Sequence, residues 1–221
     1  GGKIHMWSCN ENNKNQQWKI AVSSKPNTSG WEIAPYDFYQ MNKPNLFAPG
    51  NVIALWSPIY EAFASMRGSR TWTGRGRIGK SGKRSDGKLP ARWISEKFLV
   101  VDGGDGTIGL WNKKGKSFMQ MHANGQMRSK PSEDGKLEKS WTWERFQVVE
   151  GRNGLSALWN PTHQCFVRMN RGKFMDRSSR RKDGQLPKSW QWELFKVVMV
   201  ADATCKAVST SNVDPGYVDA Y

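Results

Sequence analysis

Two stretches of this chain carry side chains of the types and spacing that do chemistry. The first, "RGSRTWTGRGRIGKSGKR", sets Arg67, Arg70, Arg75, Arg77, Lys80, Lys83 and Arg84 around one aromatic, Trp72, with no acid among them. The second, "RSSRRKDG", holds Arg177, Arg180, Arg181 and Lys182. Guanidinium forks match the oxygens of phosphates and carboxylates, and an aromatic among them adds a face on which a base can stack. The ligands implied are anionic: nucleic acid, or the acidic groove of a partner protein. "RGRIGKSGK" also invites comparison with a phosphate-cradling loop. Such a loop must open a helix, and nothing after it reads as one, so a nucleotide site is excluded.

The residues that could catalyse are arranged otherwise. Glu96, Glu144 and Glu193 recur at matching places, as structural acceptors would, whereas a catalytic carboxylate is needed only once. No Ser-His-Asp, HExxH or paired Cys-His pattern is present. The three His (His5, His122, His163) lack metal-ligand spacing, and the three Cys (Cys9, Cys165, Cys205) form no CxxC pair. His163 and Cys165 lie two apart, which on a strand aims both at one face; the expectation is a half-buried thiol beside a surface imidazole. The chain is read as a non-enzyme without cofactor or metal.

Charge points to an anionic partner. The formal net charge is +15. Residues 1–50 carry five basic and three acidic side chains, and 201–221 carry Lys206 against Asp202, Asp214 and Asp219, so the whole excess lies in 51–200. A basic domain favours anionic partners, whether nucleic acid, acidic protein faces, anionic lipid or sulfated glycan, and charge alone does not choose among them. Twelve Trp and nine Phe supply enough burial for an ordered core. The apolar run Val197–Ala201 is too short to span a bilayer. The absence of Met at Gly1 marks the chain as processed or incomplete, so no compartment is legible.

What positions these residues is a repeat. Leu-Trp recurs at Leu55-Trp56, Leu110-Trp111 and Leu158-Trp159, and Phe-x-x-Met at Phe63…Met66, Phe118…Met121 and Phe166…Met169. Asp-Gly-x-Leu follows at Asp86, Asp134 and Asp183, each with a Trp seven residues on: Trp93, Trp141, Trp190. Glu-x-Phe closes each unit at Phe98, Phe146 and Phe195. Each unit reads as short strands broken by Asn-Pro, Asp-Gly, Asn-Gly and Arg-Gly turns, with no sustained helical period. One unit cannot bury its apolar face alone, but three closed around an axis can, and closure removes most sheet edges. The fold expected is therefore all-β, a β-trefoil with pseudo-threefold symmetry over 51–200 built from repeats of ~48 residues. The Trp of each third anchor is placed in a loop, lidding the barrel.

The order of these anchors resembles the fascin-like, actin-cross-linking type of β-trefoil, which implies actin as a partner. Residues 1–20, with Gly2, Trp7, Cys9 and the Gln16-Gln17-Trp18 ending, resemble the closing part of a ricin-B-type lectin repeat. That resemblance implies carbohydrate binding by the family, through positions that would precede Gly1. Residues 21–50 read as a linker, yet bear Trp31, Tyr36, Phe38, Tyr39 and Phe47, aromatics suited to lying along a surface. Residues 201–221 read as a tail. The function expected is a non-catalytic binding or scaffold module, a basic subunit of a larger assembly; an actin-filament binder and a lectin are the alternatives. Between Met66 and Asp86 the first repeat is longer than its siblings, and threefold symmetry predicts that its basic loop shares one end of the trefoil with 177–182.

Overall fold

Turn residues at matching places in each repeat cut the chain into strands of two to seven residues. A computed structural model describes residues 45–66 and 76–200. The ricin-B-like segment, Trp31, Tyr36, Phe38, Tyr39, Arg67, Arg70, Trp72, Arg75 and the tail lie outside them. The first repeat supplies β1 (Val52–Ser57), β2 (Ala62–Ser65), β3 (Gly79–Lys80) and β4 (Phe98–Gly104). The second supplies β5 (Thr107–Asn112), β6 (Ser117–Met121), β7 (Met127–Pro131) and β8 (Phe146–Glu150). The third supplies β9 (Ser156–Asn160), β10 (Cys165–Arg168), β11 (Asp176–Arg177) and β12 (Lys196–Met199).

The outer strands of each repeat close a six-stranded antiparallel barrel. Between repeats, Leu55 faces Val197, Leu110 faces Val100 and Leu158 faces Val148. Within repeats, Ile53 faces Phe98 and Ile108 faces Phe146, and a bridge from Ser156 to Phe195 completes the ring. The inner strands form three hairpins, β2–β3, β6–β7 and β10–β11. They meet on the axis: Ile78 N donates to Met127 O (3.0 Å), Met127 N to Met175 O (3.2 Å), and Met175 N to Ile78 O (2.9 Å). This cyclic set satisfies backbone groups that would otherwise be orphaned where the hairpins converge.

Four rings of three side chains fill the interior. Leu55, Leu110 and Leu158 form one, Phe98, Phe146 and Phe195 a second, and Met66, Met121 and Met169 a third; all are buried in one cluster. Ile78, Met127 and Met175 add a fourth beneath the hairpins. Phe47 packs into the same cluster, so the core already takes in residues of the segment read as linker.

The alternation of β2, β6 and β10 turns Phe63, Phe118 and Phe166 away from that cluster. Each is covered edge-on by the loop Trp: Trp93 at 6.4 Å, Trp141 at 6.3 Å and Trp190 at 6.2 Å between ring centroids. The expectation of a Trp in a loop is met, but its place is corrected. It lids a satellite cluster outside the barrel, because the Phe it covers points outward. The Asp-Gly steps explain themselves here. Asp86, Asp134 and Asp183 each accept the backbone N–H two residues on. The following Gly87, Gly135 and Gly184 have φ of +61, +72 and +63°, where a Cβ would press on Trp56, Trp111 or Trp159.

Candidate functional site

The three hairpins carry the basic surface. Across 76–84, 122–131 and 168–182 the only acid is Asp176. Arg168 binds it with both arms of its fork, Nε to Oδ1 and Nη2 to Oδ2, each at 2.8 Å, and Asn170 Nδ2 adds a third bond at 2.6 Å. Beside this pair, Arg77 and Arg177 line an open cleft of about 430 Å³ with Gly125, Phe174 and Ser179. Arg77 lies over the Phe174 ring at 4.0 Å, and its Nε, like those of Arg84 and Arg181, is buried with no hydrogen-bond partner among the described residues. Arg177 N donates to Gly125 O.

The structure sorts the basic residues singled out by sequence into two groups. Lys80 ties repeats together: its Nζ donates to Asn170 O (2.8 Å) and lies 4.5 Å from the Tyr60 ring centre, and burial pushes its ammonium below the usual value. Lys83 pairs with Glu61 at 3.3 Å, Arg84 with Asp86 and Arg181 with Asp183, each at 2.8 Å. Arg84 and Arg181 also present their carbonyls to Trp56 and Trp159 Nε1, a repeated structural role. Arg77, Arg177, Arg180 and Lys182 make no ion pair among the described residues. Sequence reasoning passed over Arg171 and Lys173, both exposed on the same hairpins; the run "RMNRGKF" was the available signal. The phosphate-loop comparison fails as expected, since Gly79 and Lys80 form strand β3.

The extra length of the first repeat is now located. From Met66 to Ile78 there are twelve steps, against six from Met121 to Met127 and from Met169 to Met175. The insertion therefore belongs to the β2–β3 turn. The residues equivalent to Arg177 to Arg181 are Lys80 to Arg84, one strand later.

Two further clefts recur. "KSWTWE" and "KSWQWE" at 139–144 and 188–193 place Trp143 and Trp192 beside buried carboxyls, where the first repeat has Ser95. Trp143 lies between His122 and His163, at 5.5 and 5.2 Å, beside a cleft of about 240 Å³. Gln120 Nε2 donates to Glu144 (2.6 Å), and burial raises the carboxyls of Glu144 and Glu193 above the ordinary range. His163 corrects its expectation. It is a buried imidazole, held low in pKa by desolvation with Arg177 nearby, and Cys165 is fully buried. The chain turns back at Asn160 before β10, and Asn160 Oδ1 holds His163 N at 2.8 Å, facing the ring inward onto Trp143.

Among the described residues, no group of three His, Cys, Asp or Glu converges to hold a metal ion. Among them, too, no helix is long and apolar enough to cross a membrane.

No family model matches the chain, and no curated protein matches it in sequence. Solved structures match in shape. The GlcNAcα1-4Gal-releasing endo-β-galactosidase of Clostridium perfringens is 11% identical, with a TM-score of 0.51, over 68% of this chain and 32% of that one. The BEL β-trefoil is 10% identical, with a TM-score of 0.51, over 69% of this chain and 95% of that one. Cry35Ab1 is 6% identical, with a TM-score of 0.50, over 68% and 36%. This chain thus spans only a part of the first and third. At such identities the likeness carries the fold alone: the chain is similar to β-trefoil proteins, and its own twelve-stranded architecture is all-β with the threefold repeat of that fold.

Proposed function

We propose that this chain is a non-catalytic binding module that sets its basic hairpin cap against an acidic partner surface, as one subunit of a larger assembly. One observation carries the reading. Arg77 and Arg177 come from different repeats into one cleft, and the cleft's one carboxylate is already spent on Arg168. Arg180, Lys182, Arg171 and Lys173 extend the same charge outward. The domain division proposed with it is a ricin-B-like fragment in 1–20, an aromatic-bearing linker in 21–50, the trefoil over 51–200 and a tail in 201–221.

Filamentous actin, the partner implied by the fascin-like resemblance, and polyglutamate are the two probes to use, in co-sedimentation and titration at physiological salt. The double substitution Arg180→Glu, Lys182→Glu is expected to weaken binding at least tenfold and to flatten its salt dependence, since both side chains are exposed and make no ion pair with described residues. Failure of the unaltered chain to bind either probe sinks the reading.

A further inference from the structure

We infer that the cleft between Arg77 and Arg177 receives one phosphate monoester carried by a partner protein; this rests on the reading of the cap as an anion-facing surface. The charge balance points there first. Both oxygens of Asp176 are occupied, Oδ1 by Arg168 Nε and Oδ2 by Arg168 Nη2 and Asn170 Nδ2. Arg168 and Asp176 cancel, so among the described residues Arg77 and Arg177 leave two uncompensated positive charges in the cleft. A phosphate monoester carries about 1.5 to 2 negative charges at neutral pH, while a carboxylate or phosphodiester carries about one.

The donors point the same way. Arg77 lies over the Phe174 ring, which fixes the plane of its fork. The Arg177 side chain runs against the turn at Gly125, where a Cβ would come within 3.3 Å of Nε. Symmetry supplies the third argument. The register puts Gln126 and Phe174 where the first repeat has Arg77, and Lys80 and Ser129 where the third has Arg177. The arginine pair therefore occurs once, which predicts one ligand per chain.

Titration calorimetry on the purified chain tests it with three probes. These are a phosphoserine peptide flanked by acidic residues, the same peptide with Glu in place of phosphoserine, and inorganic phosphate. The phosphopeptide is expected to bind one to one, at least tenfold tighter than its Glu counterpart, and inorganic phosphate to compete. The advantage should fade below about pH 6, where the second phosphate proton returns. Arg177→Gln is expected to erase the tenfold preference. Arg77→Lys, which keeps the charge but not the fork, is expected to lose most of it, with thermal melts confirming that both variants fold. Equal affinity for the two peptides overturns the phosphate assignment and leaves the acidic-surface reading standing, whereas no binding by either peptide overturns both. An unchanged preference in folded Arg177→Gln overturns the location. Tight binding to phosphoinositide vesicles, with none to the phosphopeptide, overturns the protein source.

Discussion

Glu144 illustrates how a residue can look chemical and be structural. It is buried, accepts a bond from Gln120, and has its carboxyl pushed above the ordinary value by desolvation. The unfolded chain therefore gives up that proton at lower pH than the folded one. Stability falls as pH rises from the ordinary carboxylate range through the raised value, and then levels off. Glu144→Gln keeps an oxygen for the Gln120 N–H and carries no charge to bury. Its Tm relative to wild type should climb between about pH 4 and pH 7; a constant gap in scanning calorimetry would count against the assignment. The recurrence of Glu at 96, 144 and 193 made the structural role legible in the sequence. The inward turn of His163 was not, because it depends on Asn160 bending the chain before β10.

At the scale of elements, a side-chain clamp just after Leu-Trp binds two of the three repeats to the repeat before. Asn112 Nδ2 donates to Ile94 O (3.0 Å) and Lys97 O (2.8 Å) of the preceding repeat. Asn160 Nδ2 does the same to Thr142 O (3.2 Å), Trp143 O (3.2 Å) and Arg145 O (2.9 Å). The first repeat has Ser57 in that place, and its buried Oγ finds no partner among the described residues. Asn160→Ala should cost about 2–3 kcal/mol in urea unfolding, since several buried carbonyls lose their donor. Ser57→Ala should stay within about 0.5 kcal/mol of wild type or stabilise. Comparable losses at the two positions would refute the clamp. The Asn of the clamp was passed over, and only the Leu-Trp before it was legible. The ring of Ile78, Met127 and Met175 was not, for two of the strands beside it span only two residues, too few to show alternation.

For the molecule as a whole, the triplicated anchors made closure around an axis readable before any coordinates, because only pooled burial satisfies three such faces. The site was half readable. Basic runs stood out, but the sequence could not tell Arg84 and Arg181, paired two residues away, from Arg77 and Arg177, whose meeting needs three hairpins to converge.

The described chain enters and leaves the barrel side by side: Val200 N donates to Val52 O at 2.9 Å, and β12 lies antiparallel along β1. Tension applied through the flanking segments would thus pull two neighbouring strands apart from one end, rupturing their bonds in succession rather than together. An optical trap should record opening at lower force when the chain is held at 45 and 200 than when handles grip opposite ends of the pair, at Val52 and Lys196, which loads its bonds together in shear. The fold would thus bear load poorly along its own line of entry and exit.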